Sequence, residues 1–243
     1  MIKLIRVAGI GIWCVGLAAA IYLMFELSVP YVAFERNVDF LGTKQNVYHI
    51  DYWRYSFYAH VFTSILVLPA GFTQFNSAFF KKSWHRKLGM LYLFTVLFIS
   101  APTGFLMGLH ANGGLPSKAS FVLLSSLWFL TTLLALTSAK RRKFIEHGEW
   151  MLYSYALTLS AITFRLIALS FDVFDIRVHP REVYVTTAWL SWVPNIIIAH
   201  LLIKMGFIKR LFKKYLNTAS SQTNSLESQL TIRQQRKQSQ CLP

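Results

Sequence analysis

Cysteine is almost absent: only Cys14, in an apolar run, and Cys241, near the C-terminal end, carry a thiol among 243 residues. Two such thiols make no disulfide framework and no cysteine pair for a metal. Acidic residues are scarce too, 10 Asp and Glu against 25 Lys and Arg, which leaves a formal net charge of +15. In a soluble chain that excess would point to nucleic acid. Here the cations lie beside long apolar stretches, where they face anionic lipid and set topology, so no nucleic-acid partner is expected. There is no H-E-x-x-H or comparable metal-ligand spacing, no internal repeat and no soluble domain.

What the chain does have is six long apolar runs, near 7–28, 55–75, 88–109, 119–138, 150–170 and 183–206. About 20 apolar residues cross a hydrocarbon core of about 30 Å. Backbone groups in lipid must pair within their own segment, so each run is expected to be a helix. The fold class is therefore all-α, a polytopic membrane bundle of six transmembrane helices in contact with the lipid bilayer of the cell membrane.

Charge sorts the ends. Lys3 and Arg6 precede the first run, Lys81, Lys82, Arg86 and Lys87 separate the second from the third, and Lys140, Arg141, Arg142 and Lys143 separate the fourth from the fifth. Lys204, Lys209, Arg210, Lys213 and Lys214 follow the sixth. The intervening loops, 29–54, 110–118 and 171–182, offset Arg36, Lys44, Arg54, Lys118, Arg177 and Arg181 with Glu35, Asp39, Asp51, Asp172, Asp175 and Glu182. The basic ends, with both termini, are expected in the cytoplasm. Trp53, Trp84, Trp150 and Tyr184 are expected to mark the water interfaces, as amphipathic aromatics do. The first run, with Ala18-Ala19-Ala20 inside it, has features of a signal peptide, but its continuation through Phe25 favours a retained anchor.

The organisation read from this pattern is an N-terminal anchor over 1–29, an external loop over 30–54, a four-helix core over 55–170, an external loop and sixth helix over 171–208, and a tail over 209–243. Residues 203–216 alternate apolar and basic groups in a way that suits a helix lying on the membrane surface. Residues 217–243 are rich in Ser, Gln, Thr and Asn and are expected to be disordered; palmitoylation of Cys241 has little support.

Candidate chemistry rests on histidines near helix ends and on one charge inside a span. His60 lies about 9 Å along its helix beyond Arg54. Arg165 sits at a comparable depth in the fifth run, and His110 closes the third, so these three can meet near the outer surface. On the other side His85 opens the third helix and His147 the fifth, flanked by Glu146 and Glu149. Histidines on several helices of a bundle resemble b-type cytochromes, where imidazoles from different helices ligate haem iron. The spacing opposes two haems, because His85 and His110 are about 37 Å apart along one helix. A divalent ion held by His85, His147 and a glutamate is a competing expectation. The blander readings are basic flanks for His85 and His147, an interfacial snorkelling arginine for Arg165, and a hydrogen bond to Tyr55, Tyr58 or a backbone carbonyl for His60. His200 has the same bland reading. Pro69-Ala70-Gly71, Pro102-Thr103-Gly104 and Pro194-Asn195 can kink helices and free carbonyls, and Gly104-x-x-x-Gly108 allows close helix contact.

His60, Trp84-His85-Arg86-Lys87-Leu88-Gly89 with Tyr92, Gly104, Trp128, and His147-x-x-Trp150-Met151-x-x-Ser154-Tyr155-Ala156-Leu157-Thr158 with Arg165 resemble a family of predicted bacterial membrane proteins catalogued as a domain of unknown function. The likeness covers roughly 55–170. Its most specific parts are the His-Arg-x-x-Gly-x-x-Tyr entry to the third helix and the His-x-x-Trp-Met entry to the fifth. This chain has Gly148 and Tyr153 where the family commonly has basic residues, which puts an anion-binding role of that loop in doubt. The resemblance singles out His60, His85, His147 and Arg165, gives His110 less support, and implies no activity. Three functional expectations follow: a redox protein binding haem b at His85 and His147 and serving a quinol or another redox partner; a transporter, sensor or assembly factor with a polar cavity lined by His and Arg; and a metal-dependent hydrolase.

Overall fold

The computed structural model describes residues 15–16, 18–19, 21–75, 83–175 and 177–213, and those residues contain helices and turns but no strand. Among the described residues five helices are long and apolar enough to cross a membrane: α1 (Asp51–Thr73), α2 (Ser83–Gly108), α3 (Leu115–Lys140), α4 (Phe144–Phe171) and α5 (Pro180–Lys204). Their 23 to 28 residues give lengths of about 35–42 Å, enough for a core of about 30 Å. The protein is thus a multi-pass membrane protein. Each helix begins three to six residues before the apolar run that announced it, because the polar residues ahead of the run join its first turns. The expected run at 7–28 is described only at 15–16, 18–19 and 21–28, and its last part belongs to a shorter apolar helix, Ile21–Ala33. The expected disordered tail, with Cys241, also lies outside them.

Consecutive spans alternate in direction, which gathers the chain into two ends. At one, Lys44 reaches the carbonyl of His110 and Arg181 that of Gly113. At the other, here the basic end, Gln74 reaches the carbonyl of His85 and Ile208 lies on Gly148.

The core explains why the recognised motif residues have the identities they do. Tyr92 on α2 shares its hydroxyl with Ser154 at 2.7 Å and Thr158 at 2.8 Å on α4. Thr158 also accepts from the Trp128 indole at 3.1 Å, and Thr132 contacts Ser154 at 2.7 Å. All five are buried. In lipid such groups have no water to turn to, so they satisfy one another and fix the register of α2, α3 and α4. Gly71 lets α1 approach this network: a Cβ there would stand 2.5 Å from the Tyr155 ring and 2.7 Å from that of Tyr92. Gly104 and Gly108 do face neighbouring helices. A Cβ would lie 3.0 Å from Ser125 Oγ at the first and 3.2 Å from the Phe121 backbone at the second.

Three helices are interrupted. In α2 a π-helical turn, Val96–Ser100, precedes Pro102, as expected where proline removes an N–H from the ladder. α4 breaks at Leu159, between Phe144–Thr158 and Ser160–Val173. α5 breaks between Leu190 and Val193, just before Pro194.

One interface expectation is overturned. Trp53 is fully buried, clustered with Tyr31, Leu41, Phe57 and Tyr58. The segment before α1 folds back over the bundle, so this indole meets protein rather than the water boundary. Trp84 is 57 % exposed, while Trp150 is half-buried against the main core.

Candidate functional site

His85 and His147 each stand in the first turn of their helix, α2 and α4, at the basic end. Both line one cavity of about 300 Å³, with Gln74 and Gly148 as the other polar or small neighbours. Its apolar wall is Phe75, Phe144, Met151, Ile208, Leu211 and Phe212. That volume is at the lower end of the range for small-molecule sites, about 300–1,000 Å³. The two imidazoles are within electrostatic range of each other.

Hydrogen bonding orients the His147 ring. His147 Nδ1 lies 2.8 Å from the Ala135 carbonyl. A carbonyl only accepts, so Nδ1 carries the proton and Nε2 of the neutral ring keeps its lone pair. A ring held in this way is arranged as ligating histidines are.

His60 has the same local arrangement in the opposite half of the bundle. Its Nδ1 donates to the Ser100 carbonyl at 2.9 Å, with Thr103 Oγ1 at 3.3 Å. Ser100 ends the π turn of α2, so the irregular backbone supplies the acceptor. The expected backbone-carbonyl partner for His60 is therefore present, and it comes from α2. Arg165 is half-buried, donates to the Ala161 carbonyl at 2.8 Å, and is in electrostatic range of His60 and Tyr31. It makes no ion pair among the described residues.

His110 does not join them. Its Nε2 is 2.6 Å from the Tyr52 hydroxyl, and its backbone carbonyl accepts from Lys44. Burial, then Lys118 and Lys44, push its pKa down. The expected outer trio is thus His60 with Arg165, and His110 is drawn away by the segment before α1, whose course no periodicity announced. His200 pairs with the Tyr153 hydroxyl at 2.7 Å, and Trp150 packs beside the same tyrosine, with centroids 5.7 Å apart.

Among the described residues no three His, Cys, Asp or Glu come together as ligands. Glu146, one expected oxygen donor, pairs with Lys143 at 2.8 Å. Among the described residues the hydrolase expectation therefore finds no ligand set. Two residues that sequence reasoning passed over matter here. Gln74 reaches from the end of α1 to the His85 carbonyl at 3.3 Å, its one sequence signal being an amide that closes an apolar run. Lys44 is buried beside His110, and nothing in its neighbours marks it.

The model of a family described as predicted membrane protein (DUF2306) matches residues 57–203, from α1 to the end of α5. The chain belongs to that family. The DUF2306 region takes in His60, His85, His147, Arg165 and the Tyr92–Ser154–Thr158 network, and stops short of Ile208, Leu211 and Phe212. No curated protein and no solved structure compared with the chain matched it.

Proposed function

We propose that this DUF2306 protein is an electron-transfer protein of the cell membrane that holds haem b between His85 and His147. The observation that carries the reading is the pair itself: two imidazoles, from different helices, in one cavity walled by apolar side chains. His147 is further arranged to present Nε2, through the Nδ1–H given to Ala135. The donor types suit the group, since haem iron takes imidazole ligands and bundles build such sites from facing helices, and the cavity of about 300 Å³ would have to widen to admit it. Haem b supplies one-electron chemistry when bound, with a membrane donor such as quinol as the partner in this reading. The chain's own part is to hold the ligands and exclude water. Phe75, Phe144, Met151 and Phe212 do the second. His60, in the other half of the bundle, does not share this site.

The test is a reduced-minus-oxidised visible spectrum of protein purified from haem-replete cells. Soret and α-band changes are expected. They should vanish in His85→Ala and His147→Ala and persist in His110→Ala. A featureless spectrum overturns the proposal, and loss in His110→Ala alone rejects the pairing.

A second reading has its own observation. Arg165 sits within a span and, among the described residues, has a backbone carbonyl as its one hydrogen-bond acceptor, and an intramembrane charge is costly unless something answers it. A transporter, sensor or assembly factor using a polar site at His60 and Arg165 would explain the expense. Arg165→Leu protein that inserts normally but fails to rescue a deletion strain, in cells whose protein has no haem spectrum, favours this reading. Full rescue makes Arg165 a snorkelling side chain.

A further inference from the structure

The cavity has a roof made by residues beyond the family region. α5 ends at Lys204, Gly206 turns the chain with a φ of +72°, and residues 207–213 resume a helical course. A positive φ of that size suits glycine and strains other residues. Past the turn, Ile208 is 4 % exposed and with Leu211 and Phe212 lines the histidine cavity. Phe212 stacks on Phe144, with centroids 6.3 Å apart and planes 15° from parallel. Ile208 lies so close to α4 that a Cβ on Gly148 would come within 2.7 Å of its Cγ2. The absence of a side chain at 148 is what lets the roof close.

The other side of the same segment is cationic. Lys204, Lys209, Arg210 and Lys213 are exposed. None of them forms an ion pair among the described residues; Arg210 donates to the Met205 carbonyl at 3.1 Å. The segment follows a membrane span directly, so this face lies at headgroup level. A helix with a basic face and an apolar face at that depth binds anionic lipid.

We propose that residues 205–213 are a lipid-held lid: anionic headgroups at the basic end bind Lys209, Arg210 and Lys213 and thereby keep Ile208, Leu211 and Phe212 closed over the cavity. The inference rests on the cavity being a ligand site, and it is independent of which ligand enters. Neutral bilayers leave the crowded cations without counter-charge and the lid more often open.

The experiment uses full-length protein carrying Cys14→Ser, Cys241→Ser and a Met151→Cys reporter, in nanodiscs of phosphatidylcholine alone or mixed with phosphatidylglycerol. The readout is the rate of labelling by an uncharged maleimide, divided by that of an Arg142→Cys reporter in the same lipid. Phe75→Cys serves as a second cavity reporter should Met151→Cys fold poorly. Labelling is expected to be roughly fivefold or more slower with phosphatidylglycerol. Combining Lys209→Gln, Arg210→Gln and Lys213→Gln should erase the difference, and Gly148→Val should give fast labelling in both lipids. Equal rates in the two lipids, a difference that survives removal of the three cations, or slow labelling in Gly148→Val each overturn the lid. The rates need no chromophore, so lipid-dependent labelling in protein with a featureless spectrum would keep the lid and reject the haem.

Discussion

Lys44 shows how much one side chain can decide away from the helices. It is 2 % exposed and gives its ammonium to the His110 carbonyl at 2.5 Å and Asn112 Oδ1 at 2.7 Å, with the Phe40 ring 5.3 Å away. All three are neutral. Burial, and then the charge of Lys118, bring its pKa from 10.5 down to about 8. Between those two values the unfolded chain holds a proton that the folded chain has released, so stability rises with pH across that window. Below it both states are protonated and the fold carries the full cost of a buried cation. Wild-type protein should therefore gain thermal stability relative to Lys44→Met as pH rises from about 7 to about 10. A pH-independent difference between the two unfolding midpoints would show that Lys44 does not titrate in the folded protein. In the sequence this lysine is one of a few loop cations balanced by acids, and burial beneath a returning loop leaves no local signature. His110 fails to meet His60 and Arg165 for a related reason: Lys44 of that loop holds its carbonyl, and Tyr52 in the first turn of α1 holds its ring.

Among the elements, the interrupted helices carry the polar chemistry. Pro194 breaks α5 visibly in the sequence, and Asn195 beside it is the repair. Its amide donates to Ser191 O at 3.0 Å, to Thr163 Oγ1 at 3.0 Å and to Ala156 O at 3.3 Å. One side chain thus serves the break in α5 and the break near Leu159 in α4. Replacing it with leucine leaves buried acceptors without a donor in a medium that offers no water, and should cost about 1–3 kcal/mol. Chemical unfolding of Asn195→Leu in detergent checks this; a change near zero would mean that the helices re-form their ladders unaided. Sequence exposed only half of this device. The kink in α5 was legible from proline, but the α4 break has neither proline nor glycine at it. It is imposed by packing against α5, and single-helix periodicity cannot report that. The amphipathic pattern after Lys204 was equally legible as a helix, which residues 207–213 form, whereas the surface it covers depends on Gly148, more than fifty residues earlier in the chain.

At the scale of the whole molecule, the alternation of loop charge predicted more of the candidate site than any motif did. It put His85 and His147 at one end and His60 at the other, and the folded chain joins the first two in a cavity while His60 bonds to Ser100 in the opposite half. That separation follows from up-and-down spans, and so does the clustering of the basic residues. Lys140 to Lys143 link α3 to α4, and Lys204 to Lys213 follow α5 at the same end. Translocating these clusters would be unfavourable, so we propose that the basic end, and with it the histidine cavity, faces the cytoplasm. A fluorescent protein that matures only in the cytoplasm should then glow when fused after Lys143 or at the C-terminus and stay dark when fused after Arg177. Fluorescence after Arg177 with darkness at the other two positions would invert the molecule. The lid would then face the outer leaflet, and a ligand for His85 and His147 would have to come from outside the cell.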